Sequence, residues 1–250
     1  MAKPSDFAHL HVASSFSMRY GASTPTELVQ RAADLGQSSV ALTDRDGAYG
    51  AVRFVNAALA AGIHPILGVD LALHGQGFGV DAGAGTEAAH RERSDTVPVR
   101  GHPVKGGPVK DDRRPRVTVL ARGQDAGLSP GAGWSRLCRL ITQTHLAGRR
   151  GNPLVELSAL ARAAIPAGGV SPIVVMLGPD SDVGRAVLSG QRSHAVDLLS
   201  RWQHALPPGA LRIEIVVHGG PARTSGSVVH AARMWALALE CGVPSVLSAA

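Results

Sequence analysis

Short apolar runs alternate with longer stretches of helical periodicity along most of the chain. Apolar runs of about 4–8 residues are typical of strands buried in a sheet, and apolar residues three or four positions apart are typical of helices. The runs that predict strands are residues 7–12, 39–43, 64–71, 117–121, 172–177, 211–217 and 244–248. The stretches that predict helices are residues 27–35, 49–61, 134–145, 155–164, 182–188, 193–205 and 228–241.

The order of these elements favours a parallel sheet with helices outside it, because most neighbouring strands are separated by a helix. The chain has 250 residues and is 44% hydrophobic, which is enough to build one sizeable core. It contains neither a G-x-G-x-x-G motif nor a Walker loop, so a closed or nearly closed barrel is favoured over an open dinucleotide-binding sheet. We therefore predict one α/β domain over residues 1–250, built from seven β/α units.

Positive charge is concentrated in one polar stretch of the chain. Between His90 and Arg116 there are eight Lys or Arg residues and four acids, which gives +4 of the formal net charge of +6. The surrounding sequence is rich in Gly and Pro and has few large apolar residues, so burial cannot offset the entropy of ordering it. We predict that residues 75–115 form a disordered insertion. It acts either as a solvated tether or as an arm that contacts nucleic-acid phosphates.

The remaining composition excludes several classes of protein. No apolar run reaches the length of a signal peptide or a membrane span, which predicts a cytoplasmic protein without membrane contact. The two cysteines, Cys138 and Cys241, are far apart and form no C-x-x-C pair. This spacing predicts neither a disulfide framework nor a thiolate zinc site.

Histidines and carboxylates stand where the predicted strands end. His9 and His11 lie two apart on the first strand, so both point to one face. Asp44 follows the second strand, Asp70 lies near the end of the third, and His218 follows the sixth. Side chains at the carboxyl ends of barrel strands converge, and this set suits a Zn or Mn site for phosphoester hydrolysis. Alternatively, the His-x-His pair is half buried and purely structural.

Six ordered blocks of the chain resemble one known family. They read HLHVASSFSMRYGAS (9–23), LTDRDGAYGAVRF (42–54), GIHPILGVDL (62–71), CRLITQTHLAG (138–148), LRIEIVVHGGP (211–221) and VHAARMWALALECGVPSVLSAA (229–250). Their order and intervals are similar to those of the PHP (polymerase and histidinol phosphatase) domain of bacterial DNA polymerase III alpha subunits. The likeness is greatest to the high-GC actinobacterial branch, and it covers nearly the whole chain except the insertion.

This resemblance implies a distorted barrel of seven β/α units at the start of a much longer polymerase. Active relatives bind up to three metal ions in the barrel, and some act as 3′-5′ proofreading exonucleases. The polymerase reaction itself uses Mg²⁺ on a separate palm domain that does not fit in this length. Strand 244–248 would leave a sheet edge uncovered, which leads us to expect a chain that stops before the polymerase core.

Two positions that carry metal ligands in active relatives hold other residues here. The family's opening His-x-His motif begins at His11, which places its second histidine at Ala13. The second motif, Thr-Asp-His, places a ligand at Arg45, whose permanent positive charge repels a cation. A further pair of ligands is expected after Ala250. The resemblance therefore predicts a degenerate site that binds no metal tightly.

The other ligand positions implied by the resemblance keep residues that coordinate metals. These are His11, Asp70, His145 and His218. His9 and Asp44 are secondary candidates, since His9 precedes the ligand pair and Asp44 is next to Arg45. We name no catalytic residue from the sequence.

Three functions follow from this reading. The leading hypothesis is a structural and interaction module that contacts the rest of the polymerase alpha subunit and other replisome proteins, and reaches DNA through the full-length protein. The second is a phosphoesterase or 3′-5′ exonuclease with Zn or Mn in a reduced site. The third is nucleic-acid binding through the basic stretch. Its candidate contacts are Arg91, Arg93, Arg113, Arg114 and Arg116.

Overall fold

The computed structural model describes residues 7–74, 114–148, 151–166 and 168–248. These residues form seven α-helices, six strands and one short 3₁₀ helix, Gln124–Ala126. The helices are α1 (Pro25–Asp34), α2 (Ala51–Ala60), α3 (Ala132–Ala147), α4 (Leu157–Ala163), α5 (Asp182–Leu188), α6 (Arg192–Ala205) and α7 (Val228–Glu240). The strands are β1 (Ser39–Leu42), β2 (His64–Ala72), β3 (Arg116–Ala121), β4 (Ile173–Leu177), β5 (Leu211–Val216) and β6 (Ser245–Ser248).

The six strands form one curled sheet, half of a barrel, in the order β1-β2-β3-β4-β5-β6. The predicted α/β barrel-like fold is confirmed, but the prediction of a parallel sheet is wrong at β3, which runs antiparallel to both β2 and β4. Ala72 at the end of β2 pairs with Arg116 at the start of β3. The chain therefore re-enters the sheet next to the end of β2, where it left the sheet. An antiparallel return of this kind needs no crossover helix.

The predicted first strand, residues 7–12, is also wrong as an element. The segment runs beside β1 but makes only one isolated parallel bridge, between His9 and Val40. Ala41 N–H donates to the His9 carbonyl at 2.8 Å, and Thr43 N–H donates to the Val12 carbonyl at 2.8 Å. These bonds fix the segment beside β1, and His11 points to the concave side of the sheet.

Alternation along the strands separates the two sides of the sheet. The odd-numbered residues of β3, Val117 and Val119, pack in the main core with α3 to α7 around the fully buried Trp202. The even-numbered Thr118 of β3 points to the other, concave side, where Glu214 of β5 faces it. The polar groups on this inner side therefore come from single polar positions within otherwise largely apolar strands.

The first two helices form a smaller core against β1. Thr24 and Glu27 form a capping box at the start of α1, with Pro25 in the first turn. Such a cap satisfies backbone N–H groups that the helix itself leaves unpaired. Val29 of α1 and Phe54 of α2 are buried in this core. The core fixes α1 and β1 beside the His9–Val12 segment.

Gly133, in the first turn of α3, allows that helix to approach the β3 end closely. A Cβ there would lie 2.1 Å from the Arg122 carbonyl oxygen. We therefore expect Gly133→Ala to lower the free energy of unfolding by about 1–3 kcal/mol, although alanine in an open helix is more stable than glycine by about 1 kcal/mol. Urea titration measures the change. The control is Gly123→Ala, where a Cβ meets open space, and equal stability of the two variants would contradict the close approach.

The segment predicted to be a disordered insertion, residues 75–115, lies outside the described residues up to position 113. Its last two residues belong to the ordered fold. Pro115 accepts a 2.8 Å hydrogen bond from Leu73 N–H, and Arg114 donates to Asn152 Oδ1 at 2.8 Å. Within the described ranges, no helix is both long and apolar enough to span a bilayer.

Candidate functional site

A cavity of about 440 Å³ lies on the concave side of the curled sheet. Its wall combines the His9–Val12 segment, the ends of β1, β2, β4 and β5, and the inner side of β3. Polar and aromatic side chains dominate the lining. They are His11, Tyr20, Thr43, Arg45, Asp70, Arg114, Arg116, Thr118, Asp180, Arg185, Glu214, His218 and Ser225. The volume is in the range of natural small-ligand sites, about 300–1,000 Å³.

His11 and Glu214 form an ion pair at the bottom of this cavity. His11 Nδ1 lies 3.2 Å and 3.3 Å from the two Glu214 carboxylate oxygens, and 3.3 Å from Thr118 Oγ1. Burial is the largest single effect and lowers the pKa of His11, but the charge and hydrogen bond of Glu214, together with the charges of Asp70 and Asp180, outweigh it and raise the pKa to about 9. The imidazole is therefore charged at neutral pH, and a metal ion has to displace a proton to bind it.

Asp70 is held by guanidinium groups. Arg116 Nε donates to Asp70 Oδ2 at 2.8 Å, and Arg45 Nε lies 3.4 Å from the same oxygen. Arg116 also donates to Asp46 Oδ1 at 2.8 Å and to the Asp70 carbonyl at 2.9 Å. Burial lowers the pKa of Arg116, and the carboxylates of Asp70 and Asp46 more than compensate and raise it. The carboxylate expected to bind a metal is thus neutralised by two arginines.

Asp44 lies beneath the cavity and anchors the loop that follows His11. Its side chain is 1% exposed. It accepts hydrogen bonds from Ser14 N–H at 2.7 Å, Ser14 Oγ at 2.8 Å and Ser17 Oγ at 2.6 Å. Ser17 Oγ in turn accepts from Arg45 N–H at 2.9 Å. These donors, one backbone N–H and two serine hydroxyls, all belong to the loop after His11, so Asp44 positions the cavity wall and does not line it.

The three remaining histidine candidates have separate locations. His218 is exposed at the cavity rim, where its backbone N–H donates to the Gly226 carbonyl at 2.8 Å. His145 on α3 is exposed, and its Nε2 lies 2.5 Å from the Asp46 carbonyl oxygen, outside the cavity lining. His9 lies in a neighbouring cavity, edge-on to Phe7. The structure therefore brings together His11, Asp70 and His218 and leaves His145, His9 and Asp44 apart.

These donors do not fit a metal centre as they stand. Among the described residues, no group of three or more His, Cys, Asp or Glu side chains is arranged to hold a metal ion. His11 forms an ion pair with Glu214, and Asp70 forms an ion pair with Arg116. Ala13 and Arg45, the two positions where the resemblance predicts ligands in active relatives, both line the cavity. The arginine side chains of Arg45 and Arg116 place positive charge beside Asp70.

Only part of the proposed nucleic-acid contact set can be placed. Arg91, Arg93 and Arg113 lie outside the described residues. Arg116 is buried and paired with two carboxylates, which argues against a phosphate contact by this residue. Arg114 is half-buried in the cavity wall.

Sequence reasoning missed Glu214, Asp180 and Arg185 as cavity residues. A signal exists for Glu214, because it is the one acid in the apolar run of β5 and lies in step with the inner side of the sheet. A charge at such a position is rarely buried without a partner. Asp180 and Arg185 follow β4 in a loop and a helix start, and their sequence context resembles any polar turn.

Comparisons with known proteins agree with this architecture. Residues 9–218 match the PHP domain family. An error-prone DNA polymerase of Nocardia farcinica is 34% identical over 265 aligned positions, which cover 95% of this chain and 21% of that protein. An error-prone DNA polymerase of Mycobacterium bovis is 34% identical over 216 positions, which cover 86% of this chain and 16% of that protein. The chain thus spans about a fifth or less of the length of these relatives.

A solved structure shows the same fold. An amidohydrolase from Chromobacterium violaceum superposes with a TM-score of 0.53 at 16% identity, covering 96% of this chain and 86% of that one. This likeness concerns the fold alone. With its sequence match over residues 9–218 and its half-barrel of helices and strands, the chain belongs to the PHP domain family and is homologous to the PHP region of actinobacterial error-prone DNA polymerases.

Proposed function

We propose that this chain acts as a structural and interaction module of an error-prone-type DNA polymerase, in replication or repair synthesis in the cytoplasm, and that its own cavity does not hydrolyse phosphoesters. Homology to the PHP region of error-prone polymerases supports the polymerase context. The rest of the polymerase subunit is the expected partner, together with other replisome proteins, and DNA is reached through the whole polymerase.

The pairing of Asp70 with arginines supports the proposal that the cavity does not hydrolyse phosphoesters. Metal-dependent hydrolysis requires a cation that lowers the pKa of a bound water and neutralises phosphate charge. In this cavity Arg116 and Arg45 stand against the carboxylate that would bind the cation. Two fixed positive charges at a ligand raise the free energy of any metal ion placed beside them.

A metal phosphoesterase or exonuclease using Zn or Mn is the second candidate. It is favoured by one observation, which is that His11, Asp70 and His218 line the same cavity. Under this hypothesis His11, Asp70 and His218 would hold the metal ion, which would require His11 to lose its proton and Asp70 to give up its contact with Arg116. The two candidates differ in metal content and in activity, so one preparation of the chain separates them.

The test is a metal and activity assay on the purified chain. We expect well below one Zn, Mn or Fe per chain after exposure to each metal, because His11 and Asp70 are already paired. We also expect no turnover of p-nitrophenyl phosphate or of a mismatched primer above the level of a His11→Ala, His218→Ala double variant. His64→Ala, an exposed histidine far from the cavity lining, is the matched control. Stoichiometric metal together with activity that the double variant loses would establish the phosphoesterase instead.

A further inference from the structure

A groove lies between α3 and the end of α4, away from the concave side of the sheet. It has a volume of about 270 Å³ and shares no lining residue with the concave cavity. Three of its lining residues are arginines, Arg136 and Arg139 on α3 and Arg162 on α4. Arg139 and Arg162 are exposed, and Arg136 is half-buried. This arginine groove is therefore open to a partner on the outside of the helical layer.

The positive charge of the arginine groove is not neutralised by the surrounding fold. Of the described residues that line it, none is an acid, and Gln143 is the neutral polar member. Within the described ranges, no carboxylate forms an ion pair with any of the three arginines. The Arg162 carbonyl oxygen lies 3.5 Å from Arg136 Nη1, so these two residues are neighbours across the groove. Three positive charges thus share one small surface.

Helix stability does not account for this grouping of charge. Arg136 and Arg139 are three positions apart on α3, so they lie on the same face of the helix, where like charges repel. Both lie in the amino-terminal half of α3, where the helix dipole does not favour a cation. Arg162 is in the last turn of α4, where the dipole does favour one, but this explains a single arginine of the three. An anionic partner explains all of them.

We propose that the arginine groove binds the phosphate backbone of double-stranded DNA. Guanidinium groups donate two parallel hydrogen bonds to phosphate oxygens, which suits them to this backbone. The homology to DNA polymerases identifies DNA as the polyanion, and in this respect the inference rests on the proposed function. It goes beyond that function because DNA here contacts this chain itself, at a surface distinct from the concave cavity.

The apolar part of the groove lining favours a duplex over a single strand. It consists of Leu140, Ala163 and Ile165, and no aromatic side chain lies among the described lining residues. Surfaces that bind single strands combine positive charge with aromatic side chains on which the bases stack. The arginine groove offers the charge alone. Its contacts are therefore to phosphates, which carry no base-sequence preference.

The experiment is fluorescence anisotropy of the whole chain with a fluorescein-labelled DNA duplex in EDTA, over a series of salt concentrations. We expect the triple variant Arg136→Gln, Arg139→Gln, Arg162→Gln to bind the duplex about a hundredfold more weakly at about 50 mM salt. The slope of log affinity against log salt should fall in magnitude by about 2–3, since each phosphate contact contributes about 0.9. The unlabelled single strand should compete no better than the unlabelled duplex, and stronger competition by the single strand would refute the duplex assignment.

A matched control separates this surface from the net charge of the chain. The triple variant Arg31→Gln, Arg53→Gln, Arg233→Gln removes the same charge from exposed positions outside the arginine groove, and its salt slope should stay close to that of the parent. Replacing the three groove arginines with lysine should preserve most of the slope, because lysine contacts phosphate as a point charge. Equal slopes for the two glutamine triples would mean that DNA binding follows net charge, which overturns the inference.

Thermal melting and a second polyanion distinguish the other roles of these arginines. The groove glutamine triple should melt at or above the temperature of the parent, because it removes like-charge repulsion. A lower melting temperature with an unchanged salt slope would assign the arginines to the fold and overturn the inference. Competition by poly-L-glutamate as strong as that by unlabelled duplex would assign the groove to acidic proteins instead. These measurements need neither metal nor turnover, so their failure is distinct from a failure of the proposed function.

Discussion

Replacing Asp70 with alanine is expected to lower the free energy of unfolding by about 3–5 kcal/mol, the usual cost of removing one partner from a buried ion pair. Asp70 is 6% exposed and accepts a 2.8 Å hydrogen bond from Arg116, which is itself 8% exposed. Without the carboxylate, Arg116 keeps only Asp46 as an acidic partner, and Arg45 loses its neighbour at 3.4 Å. Two guanidinium groups then share one cavity with too little negative charge.

Chemical denaturation of matched variants tests this expectation. Asp125→Ala removes an exposed carboxylate from the 3₁₀ helix and should change stability by less than about 0.5 kcal/mol. Asp70→Ala combined with Arg116→Met should be more stable than the sum of the single effects, because the second change removes a buried charge that has only Asp46 left as its partner. If Asp70→Ala is as stable as Asp125→Ala, the ion pair has no structural role and the metal reading of Asp70 gains support.

Much of the fold could be predicted from the sequence because local signals decide it. The start of α1 is predicted by Thr24, Pro25 and Glu27. The apolar runs predict the bounds of β1 to β6 to within one or two residues. The direction of β3 is not local. Only the absence of a predicted helix between β2 and β3 indicates the reversal, since a parallel neighbour would need a crossover. The prediction of a first strand over residues 7–12 was wrong because the segment makes a single bridge to Val40 and no extended ladder.

The candidate site was less predictable, because its properties depend on pairs that are distant in the sequence. His11 meets Glu214 across 203 positions, and Asp70 meets Arg116 across 46 positions. Arg116 is not marked by its neighbours as a site residue, and Glu214 is marked only as the one acid in β5. Family resemblance predicted that Ala13 and Arg45 occupy ligand positions, and the structure places both in the cavity wall, but the resemblance did not predict the ion pairs of this cavity. The pairs of His11 with Glu214 and of Asp70 with Arg116 form only because side chains converge from the His9–Val12 segment, β2, β3 and β5.

Asp44 gives the second large effect, because one carboxylate orders the loop that forms part of both cavities. Asp44→Ala should lower the free energy of unfolding by about 3 kcal/mol, since it leaves three buried donors of Ser14 and Ser17 without their acceptor. Ser14→Ala or Ser17→Ala removes a single donor and should cost about 1 kcal/mol. Urea denaturation measures all three variants, with Asp125→Ala as the exposed-carboxylate control.

The loop itself provides a second readout for Asp44→Ala. Arg19 is exposed in this loop with a positive φ of 76°, a conformation that costs free energy and persists only while its surroundings hold it. Loss of the Asp44 anchor should therefore speed tryptic cleavage after Arg19, followed by mass spectrometry, at urea concentrations where the rest of the chain stays folded. Asp44→Asn keeps the shape of the side chain but offers only one acceptor oxygen, so it should fall between the parent and Asp44→Ala. Cleavage at Arg19 that is as slow in Asp44→Ala as in the parent would mean that the helical core, and not this carboxylate, holds the wall of the cavity.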